Sequence, residues 1–326
     1  MIEYIAPVSV ESINRITYSW QDWGIKIIAD RVNPEGSAEL WFYHTNEAKP
    51  ESLLHLAKVN LLSSPTMNGL AKRMAEHGDT IPWKQALTYV TFRTLEYARY
   101  GEPGSVILPN PETDAKHPGY FVEPFILKGL PTIMHGEKGV NKTTMGLLFL
   151  GLVYNNVIDN SYGLKVDASP ITPVAILDWE SDLPTTKYTL SRLINGGSVP
   201  WYSLAYLRCK LPLADDVQRI ASFLQDNKIE VVLIDSLGKA AGSDKFDSSG
   251  KNAALRFFEA LSQLRVTSLT IGQHAKGDSD SGSRLYGSVY YRYYARNIFE
   301  VKSPKEISKD RMSIAFFHEN SNYSAK

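Results

Sequence analysis

Residues 136–144 constrain the fold more than any other part of the chain, because they combine a glycine-rich turn with a Lys-Thr pair. An apolar run at 132–134 precedes this segment, and an apolar helical pattern starting at Met145 follows it. A strand, a glycine-rich turn and a helix in this order direct successive backbone N–H groups and the positive end of the helix at one anion. The sequence therefore predicts a phosphate-binding loop.

The loop is the candidate nucleotide-binding site. Lys142 is placed to reach the β- and γ-phosphates, and the Thr143 hydroxyl to hold Mg²⁺. Asn141 departs from the pattern G-x-x-x-x-G-K-[ST], in which a glycine precedes the lysine. Asn tolerates left-handed backbone better than other non-glycine residues, so we expect the turn to persist while its side chain crowds the phosphates. The alternative interpretation is a helix start that binds nothing. The predicted binding residues are Gly136, Glu137, Lys138, Gly139, Val140, Asn141, Lys142, Thr143 and Thr144.

Composition sets limits on the function. The 326 residues suffice for two domains, and 35 Lys and Arg balance 35 Asp and Glu, so a nucleic-acid surface would have to be a local basic patch. A single cysteine, Cys209, allows no intramolecular disulfide and fits a reducing compartment. The N-terminus lacks a signal-peptide pattern, and the apolar run at 145–153 is too short to span a bilayer. These features predict a cytoplasmic protein without a membrane partner.

Gly and Pro residues, which interrupt helices and strands, are frequent between residues 101 and 119. We therefore expect a boundary between two domains in this segment. Residues 1–115 are expected to form an accessory α+β domain, with strands at 13–18, 24–29 and 38–44 and helices at 53–62, 68–77 and 82–97. In residues 116–326, apolar strands alternate with amphipathic helical patterns, which predicts an α/β domain whose mainly parallel sheet carries helices on both faces. Ligands bind such sheets at the carboxyl ends of the strands. The predicted strands are 132–135, 174–179, 231–235, 269–272, 298–301 and 313–318.

Two of these apolar strands end in acidic residues. Asp235 ends one of them and is expected to position Mg²⁺ through a water molecule that binds the ion. The other ends in Asp178 and Glu180; on a strand beside the phosphate loop, a carboxylate could orient and deprotonate an attacking water. Glu180 is the candidate base and Asp178 its rival. The alternative is that these acids cap turns or are simply solvated.

Further candidates follow the strand at 269–272. Gln273 or His274 could sense the γ-phosphate by hydrogen bonding. Arg284 or Lys276, on a polar glycine-rich loop, could reach a phosphate on a neighbouring subunit, or could be solvated charges on an ordinary loop. The segment 286–296 carries five tyrosines and two arginines; it predicts either a base-stacking surface or, as we slightly favour, a helix that packs its tyrosines.

With these motifs assembled, residues 119–318 resemble the RecA-like P-loop ATPases of the AAA_25 type, the group that contains RepA-like hexameric helicases. The resemblance rests on the loop at 136–144, the two acid-ended strands, and Gln273-His274 followed by Arg284. It implies ATP and Mg²⁺ bound between the subunits of a homo-oligomeric ring such as a hexamer. It further implies Glu180 as base, Asp235 at the metal and Arg284 as an arginine finger. Single-stranded DNA, or a DNA-replication or mobile-element protein, is the implied partner.

Three functions are compatible with the sequence. The first is an ATP-hydrolysing protein of DNA metabolism, acting as a helicase, loader or remodeller. The second is a nucleotide-gated binding or assembly module that hydrolyses little ATP because of Asn141. The third, a small-molecule kinase, ranks last, because the strands after Asp235 fit a RecA-like order and no acceptor-binding lid is recognisable.

Overall fold

The computed structural model describes residues 7–12, 15–45, 52–78, 80–101, 119–242, 250–273, 290–303 and 313–321. The chain forms two compact units, Met1–Pro109 and Asn110–Lys326. The domain boundary predicted at 115/116 lies in the segment 102–118, outside the described residues, and stays a prediction. None of the described helices is long and apolar enough to cross a membrane.

In its described residues the N-terminal unit has a five-stranded antiparallel sheet and two helices, and the strands follow one another in chain order. In β2 and β4 alternate side chains are buried, among them Tyr18, Trp20 and Phe42, and they form one core with Met74 and Leu87 of the helices. This is the half-buried sheet that period-two patterning produces. The elements are β1 Val8–Ser12, β2 Arg15–Trp20, β3 Ile25–Asp30, β4 Ser37–His44, β5 Ser52–Asn60, α1 Ser64–Ala75 and α2 Trp83–Tyr100.

The helix predicted at 53–62 is wrong, because this segment is strand β5. Its residues pair antiparallel with β4, from Ser37 opposite Asn60 to His44 opposite Ser52. Hydrogen bonding to an existing strand outweighs the weak helical preference of a short apolar run. The helices predicted at 68–77 and 82–97 are present as α1 and α2.

The C-terminal unit is built on a seven-stranded sheet in the order β11-β10-β12-β13-β8-β14-β15. All neighbouring strands in it are parallel except β14 and β15. A small antiparallel sheet, β7-β6-β9, accompanies it. The strands are β6 Tyr120–Glu123, β7 Ile126–Leu127, β8 Pro131–Gly136, β9 Lys165–Val166, β10 Val174–Asp178, β11 Leu204–Arg208, β12 Val231–Asp235, β13 Thr267–Gln273, β14 Asn297–Lys302 and β15 Ala315–Ser321.

Helices cover the large sheet. One face packs against α3, where Leu233 lies so close to Gly146 that a Cβ on this glycine would come within 2.7 Å of a Leu233 methyl carbon. Residues that alternate with this face, such as Val232 and Ile234, are equally buried on the opposite face, which is the burial expected of a doubly covered parallel sheet. The helices are α3 Lys142–Tyr154, α4 Leu183–Asn195, α5 Leu213–Asp226, α6 Leu237–Ala241, α7 Lys251–Leu264 and α8 Tyr290–Tyr294.

This architecture confirms the predicted α/β fold class, a domain with a mainly parallel sheet covered by helices, preceded in the chain by a smaller α+β unit. One expectation about the sheet is wrong: β10 does not lie beside the phosphate-loop strand β8, because β12 and β13 stand between them. Helix α4 and strand β11 were not predicted, although α4 has a start signal in Asp182, whose carboxylate accepts a hydrogen bond from the Thr185 backbone N at 2.9 Å.

Candidate nucleotide-binding site

The predicted phosphate loop lies between the end of β8 and the start of α3. Two of its glycines have structural reasons to be glycine. A Cβ on Gly136 would come within 2.4 Å of the Val301 carbonyl oxygen on the adjacent strand, and Gly139 has a φ of +89°. Side chains are excluded from the first position by space and disfavoured at the second by backbone conformation. At these two positions the loop therefore presents backbone rather than a side chain.

Asn141 has the left-handed conformation that the sequence suggested, with φ 57° and ψ 29°. It occupies the N-cap position of α3, and its carbonyl oxygen accepts from the Met145 backbone N at 3.0 Å. Within the described chain its side chain makes no capping hydrogen bond to the helix. The residue therefore supplies the turn that a glycine would supply, without contributing a side-chain cap.

We expect the substitution Asn141→Gly to raise ATP affinity or turnover. Glycine keeps the left-handed turn and loses no side-chain helix cap, and it removes a side chain that we expect to crowd the phosphates. Calorimetry with Mg·ATP and a steady-state phosphate-release assay would measure the two quantities. Asn156→Gly, at another asparagine with left-handed backbone (φ 46°), is a matched control. If both quantities are unchanged in Asn141→Gly, the asparagine is a neutral variation.

The side chain of Lys142 is buried within the loop. Its Nζ donates hydrogen bonds to the carbonyl oxygens of Gly136, at 2.9 Å, and Glu137, at 2.6 Å. Burial lowers the pKa of Lys142, while the nearby charges of Asp235 and Glu180 oppose that shift. An ammonium group has three donors, so one remains for a ligand while both loop carbonyls are bound. The ammonium group of Lys142 is thus held within the phosphate loop by the loop's own carbonyl oxygens.

Thr143 and Asp235 connect the loop to strand β12. The Thr143 Oγ1 donates a hydrogen bond to Asp235 Oδ2 at 2.6 Å. Burial raises the pKa of Asp235 to about 6, assisted by the charges of Glu180 and Asp178 and opposed by the Thr143 hydrogen bond. A bound cation beside this carboxylate would favour its ionised form.

The oxygen ligands that Thr143 and Asp235 offer fit Mg²⁺. A hydroxyl and a carboxylate are hard oxygen ligands, and Mg²⁺ usually takes one or two such groups together with water and substrate phosphates. In the described part of the chain, no group of three His, Cys, Asp or Glu could hold a metal ion. A cation here would therefore complete its coordination with water and phosphate oxygens rather than with further side chains.

Glu180 lies near these residues although its strand is not adjacent to β8. The ends of β10 and β12 are in register, with Asp178 opposite Asp235. Ser236 Oγ donates to Glu180 Oε2 at 2.6 Å, and Gln273 Nε2 lies 3.3 and 3.4 Å from the two Glu180 carboxylate oxygens. Gln273 is itself in register with Gly136 on β8. The structure thus brings Glu180 and Gln273 together at the edge of the sheet that carries the loop.

Asp178, the rival of Glu180, is fully buried and already bound. Its Oδ1 accepts hydrogen bonds from the backbone N of Glu180 at 2.9 Å and of Ser181 at 2.7 Å, and it also contacts Arg208 at 3.1 Å. Its Oδ2 accepts from the Tyr206 hydroxyl at 3.0 Å. A carboxylate with this many donors shapes the turn after β10 and is poorly placed to take a proton from water. Glu180 remains the better candidate base.

The sequence reasoning missed Ser236, which links Asp235 to Glu180. The only available signal was its position directly after the acid that ends β12. The peptide bond between Asp235 and Ser236 is cis. Other predicted residues, His274, Lys276 and Arg284, lie outside the described residues, and their roles stay predictions.

The tyrosine-rich segment packs in part against the core, and the alternative of a base-stacking surface stays a prediction. Tyr291 is buried against Phe257 and Phe258, and Tyr294 contacts Phe258, so part of α8 packs as favoured. On the other side, the rings of Tyr290 and Tyr293 are 6.1 Å apart and Tyr293 is 75% exposed. Arg292 and Arg296 are exposed, and Arg292 binds Glu319 at 2.6 Å. Tyr286 lies outside the described residues.

No family model and no curated protein matches the chain. Among solved structures it is similar to a KaiC-like protein from the hyperthermophilic archaeon Pyrococcus horikoshii OT3. The two are 16% identical, the match covers 63% of this chain and 87% of that chain, and the TM-score is 0.42. What this chain binds is therefore inferred from its own residues.

Proposed function

We propose that residues 116–326 form an ATPase domain that binds Mg·ATP at residues 136–144 and hydrolyses it, with residues 1–115 as an accessory domain. The observation that carries the proposal is the hydrogen bond between Thr143 and Asp235, which joins a glycine-rich helix start to an acidic strand end. Glu180, the candidate base, lies at the next strand end. A helix start that binds nothing gives no reason for this convergence of a lysine, a hydroxyl and two carboxylates.

Each residue has a chemical part in hydrolysis. The loop N–H groups and Lys142 hold the phosphates, and Thr143 and Asp235 would hold Mg²⁺, which supplies charge neutralisation on the phosphate oxygens. Glu180 orients a water molecule and accepts its proton as the water oxygen bonds to the γ-phosphorus and the bond to ADP breaks. Gln273, close to Glu180, would donate to a γ-phosphate oxygen.

The more specific proposal is an ATPase of the AAA_25 and RepA-like group that acts in DNA metabolism as a helicase, loader or remodeller. The order of the loop, Glu180, Asp235 and Gln273 along the chain supports it, as does the exposed Tyr293 on α8, which lies close in sequence to the exposed Arg292 and Arg296. The alternative is a nucleotide-gated assembly module with little turnover, which the asparagine at position 141 favours.

The deciding experiment is ATP turnover with and without single-stranded DNA. Turnover stimulated by DNA supports the role in DNA metabolism, and Mg·ATP binding without turnover supports the gated module. Slow turnover indifferent to DNA would favour the small-molecule kinase. Failure to bind Mg·ATP at all would contradict the whole proposal.

The exposed Tyr293 of α8 allows a sharper test of the DNA role. We expect Tyr293→Ala to weaken binding of a fluorescein-labelled oligo(dT) by roughly 5- to 100-fold, because one base–aromatic stack contributes about 1–3 kcal/mol. Fluorescence anisotropy at fixed salt would measure it. Tyr188→Ala, at a tyrosine that is 64% exposed on α4, is the matched control. Equal affinities of the two variants would remove α8 as the stacking surface.

We propose further that the sites form between the subunits of a homo-oligomeric ring, with Arg284 completing each site from a neighbouring subunit. Arg284→Ala should then bind ATP normally and lack hydrolysis, while mixing it with Lys142→Ala protein should restore part of the activity. Steady-state turnover of the mixture measures this. No restoration, although the two variants assemble together, would show that Arg284 does not act across an interface.

A further inference from the structure

We propose that Ser236 is a positioning residue that holds the carboxylate of Glu180 in the orientation needed to activate water. The inference rests on the proposed ATP hydrolysis and adds a residue to it. It starts from the 2.6 Å hydrogen bond that Ser236 Oγ donates to Glu180 Oε2. This length is in the range of charge-assisted O–H···O⁻ bonds, which are stronger than neutral ones.

The ordinary role of a serine at this position is not the one that Ser236 performs. Ser236 occupies the N-cap position of α6, where a serine side chain commonly accepts a hydrogen bond from a backbone N–H of the first turn. The Ser236 side chain accepts no such bond from the described residues of α6. The hydroxyl, on a residue that is only 4% exposed, donates instead across to the end of β10.

Among the described residues, few contacts hold the Glu180 carboxylate in place. Glu180 is an exposed residue two positions beyond the end of β10, and the other contact of its carboxylate, with Gln273 Nε2, is longer, at 3.3 and 3.4 Å. The proposed role of Gln273 at the γ-phosphate would draw this amide away from Glu180. Ser236 would then be the remaining side-chain donor among these contacts.

Asp235 and Ser236 together also connect the phosphate loop to the candidate base. Asp235 accepts from Thr143 of the phosphate loop, and the next residue, Ser236, donates to Glu180. Two consecutive residues at the end of β12 thereby set the distance between the loop and the candidate base. Because small misplacements of a reacting group reduce rate strongly, this spacing should affect the chemical step more than binding.

The test compares Ser236→Ala with the unchanged protein in steady-state ATP turnover and in calorimetric Mg·ATP binding. We expect kcat to fall by about 10-fold while KM and the dissociation constant stay within about 2-fold, since the interaction acts on the reacting water rather than on the bound phosphates. Ser236→Thr, which keeps the hydroxyl, should recover most of the rate. Ser262→Ala, at a serine on α7 that bonds its own helix, is the matched control.

A second arm separates positioning through Glu180 from an independent effect. In a Glu180→Gln background, Ser236→Ala should cause no further loss, because the group that it positions no longer acts as a base. A multiplicative further loss would overturn the proposal, as would a normal kcat in Ser236→Ala. Equal thermal midpoints for the variants would show that they remain folded. A protein without any turnover in its unchanged form would instead overturn the proposed hydrolysis, and the positioning role with it.

Discussion

Replacing Lys142 with alanine is expected to reduce the affinity for Mg·ATP by about 10²-fold. Its Nζ already lies where the loop converges, bound to the carbonyl oxygens of Gly136 and Glu137. Hydrogen bonds to charged groups contribute about 1.5–3 kcal/mol, and every 1.4 kcal/mol is a factor of ten in affinity. Because Lys142 would serve two phosphates, its loss should fall at the upper end of this range. Isothermal titration calorimetry is the direct measurement.

The matched control is Lys187→Ala, which removes an exposed lysine from α4. It should leave affinity unchanged, and lysine and alanine are both good helix formers, so it should also leave stability nearly unchanged. A circular dichroism melt of Lys142→Ala would show whether the fold persists. A folded Lys142→Ala protein with unaltered affinity would contradict the phosphate-loop interpretation and every proposal built on it.

The loop could be predicted from sequence because its determinants are local. Strand, glycine turn, lysine and helix occupy consecutive positions, and even the left-handed backbone at Asn141 follows from the preferences of that residue type. The order of the strands in the sheet, by contrast, depends on contacts between distant segments. The residues of β10 do not indicate that β12 and β13 lie between β10 and β8, and strand β5 forms only through its pairing with β4.

The choice between Asp178 and Glu180 shows the same limit within the site. The two acids are two positions apart, and either could end a strand at a ligand. The partners that distinguish them, Tyr206 and Arg208, lie on the neighbouring strand β11, which the sequence did not reveal. Ser236 was missed for the same reason, because its partner Glu180 is 56 positions away in sequence. Contacts between distant segments decide which residues act and which only support the fold.

The different contacts of Glu180 and Asp178 lead to the second prediction with a large expected effect. Glu180→Gln should keep Mg·ATP affinity and reduce turnover by about 10²-fold or more, the loss expected when a general base is removed. The amide can still accept the hydrogen bond from Ser236, so the side chain should keep its place and lose only its ability to take a proton. Calorimetry and a phosphate-release assay on the same preparation would separate binding from hydrolysis.

Asp178→Asn provides the contrast, because it removes the same kind of charge from a residue that is fully buried. Where the amide NH₂ takes the place of Oδ2 it cannot accept the Tyr206 hydrogen bond, and the neutral amide oxygen in place of Oδ1 loses the charge attraction to Arg208, so we expect the protein to lose about 1–3 kcal/mol of stability. Thermal unfolding should therefore shift in Asp178→Asn and stay unchanged in Glu180→Gln, while hydrolysis is lost mainly in Glu180→Gln. Normal hydrolysis in a folded Glu180→Gln protein, together with its loss in Asp178→Asn at unchanged stability, would transfer the role of base to Asp178.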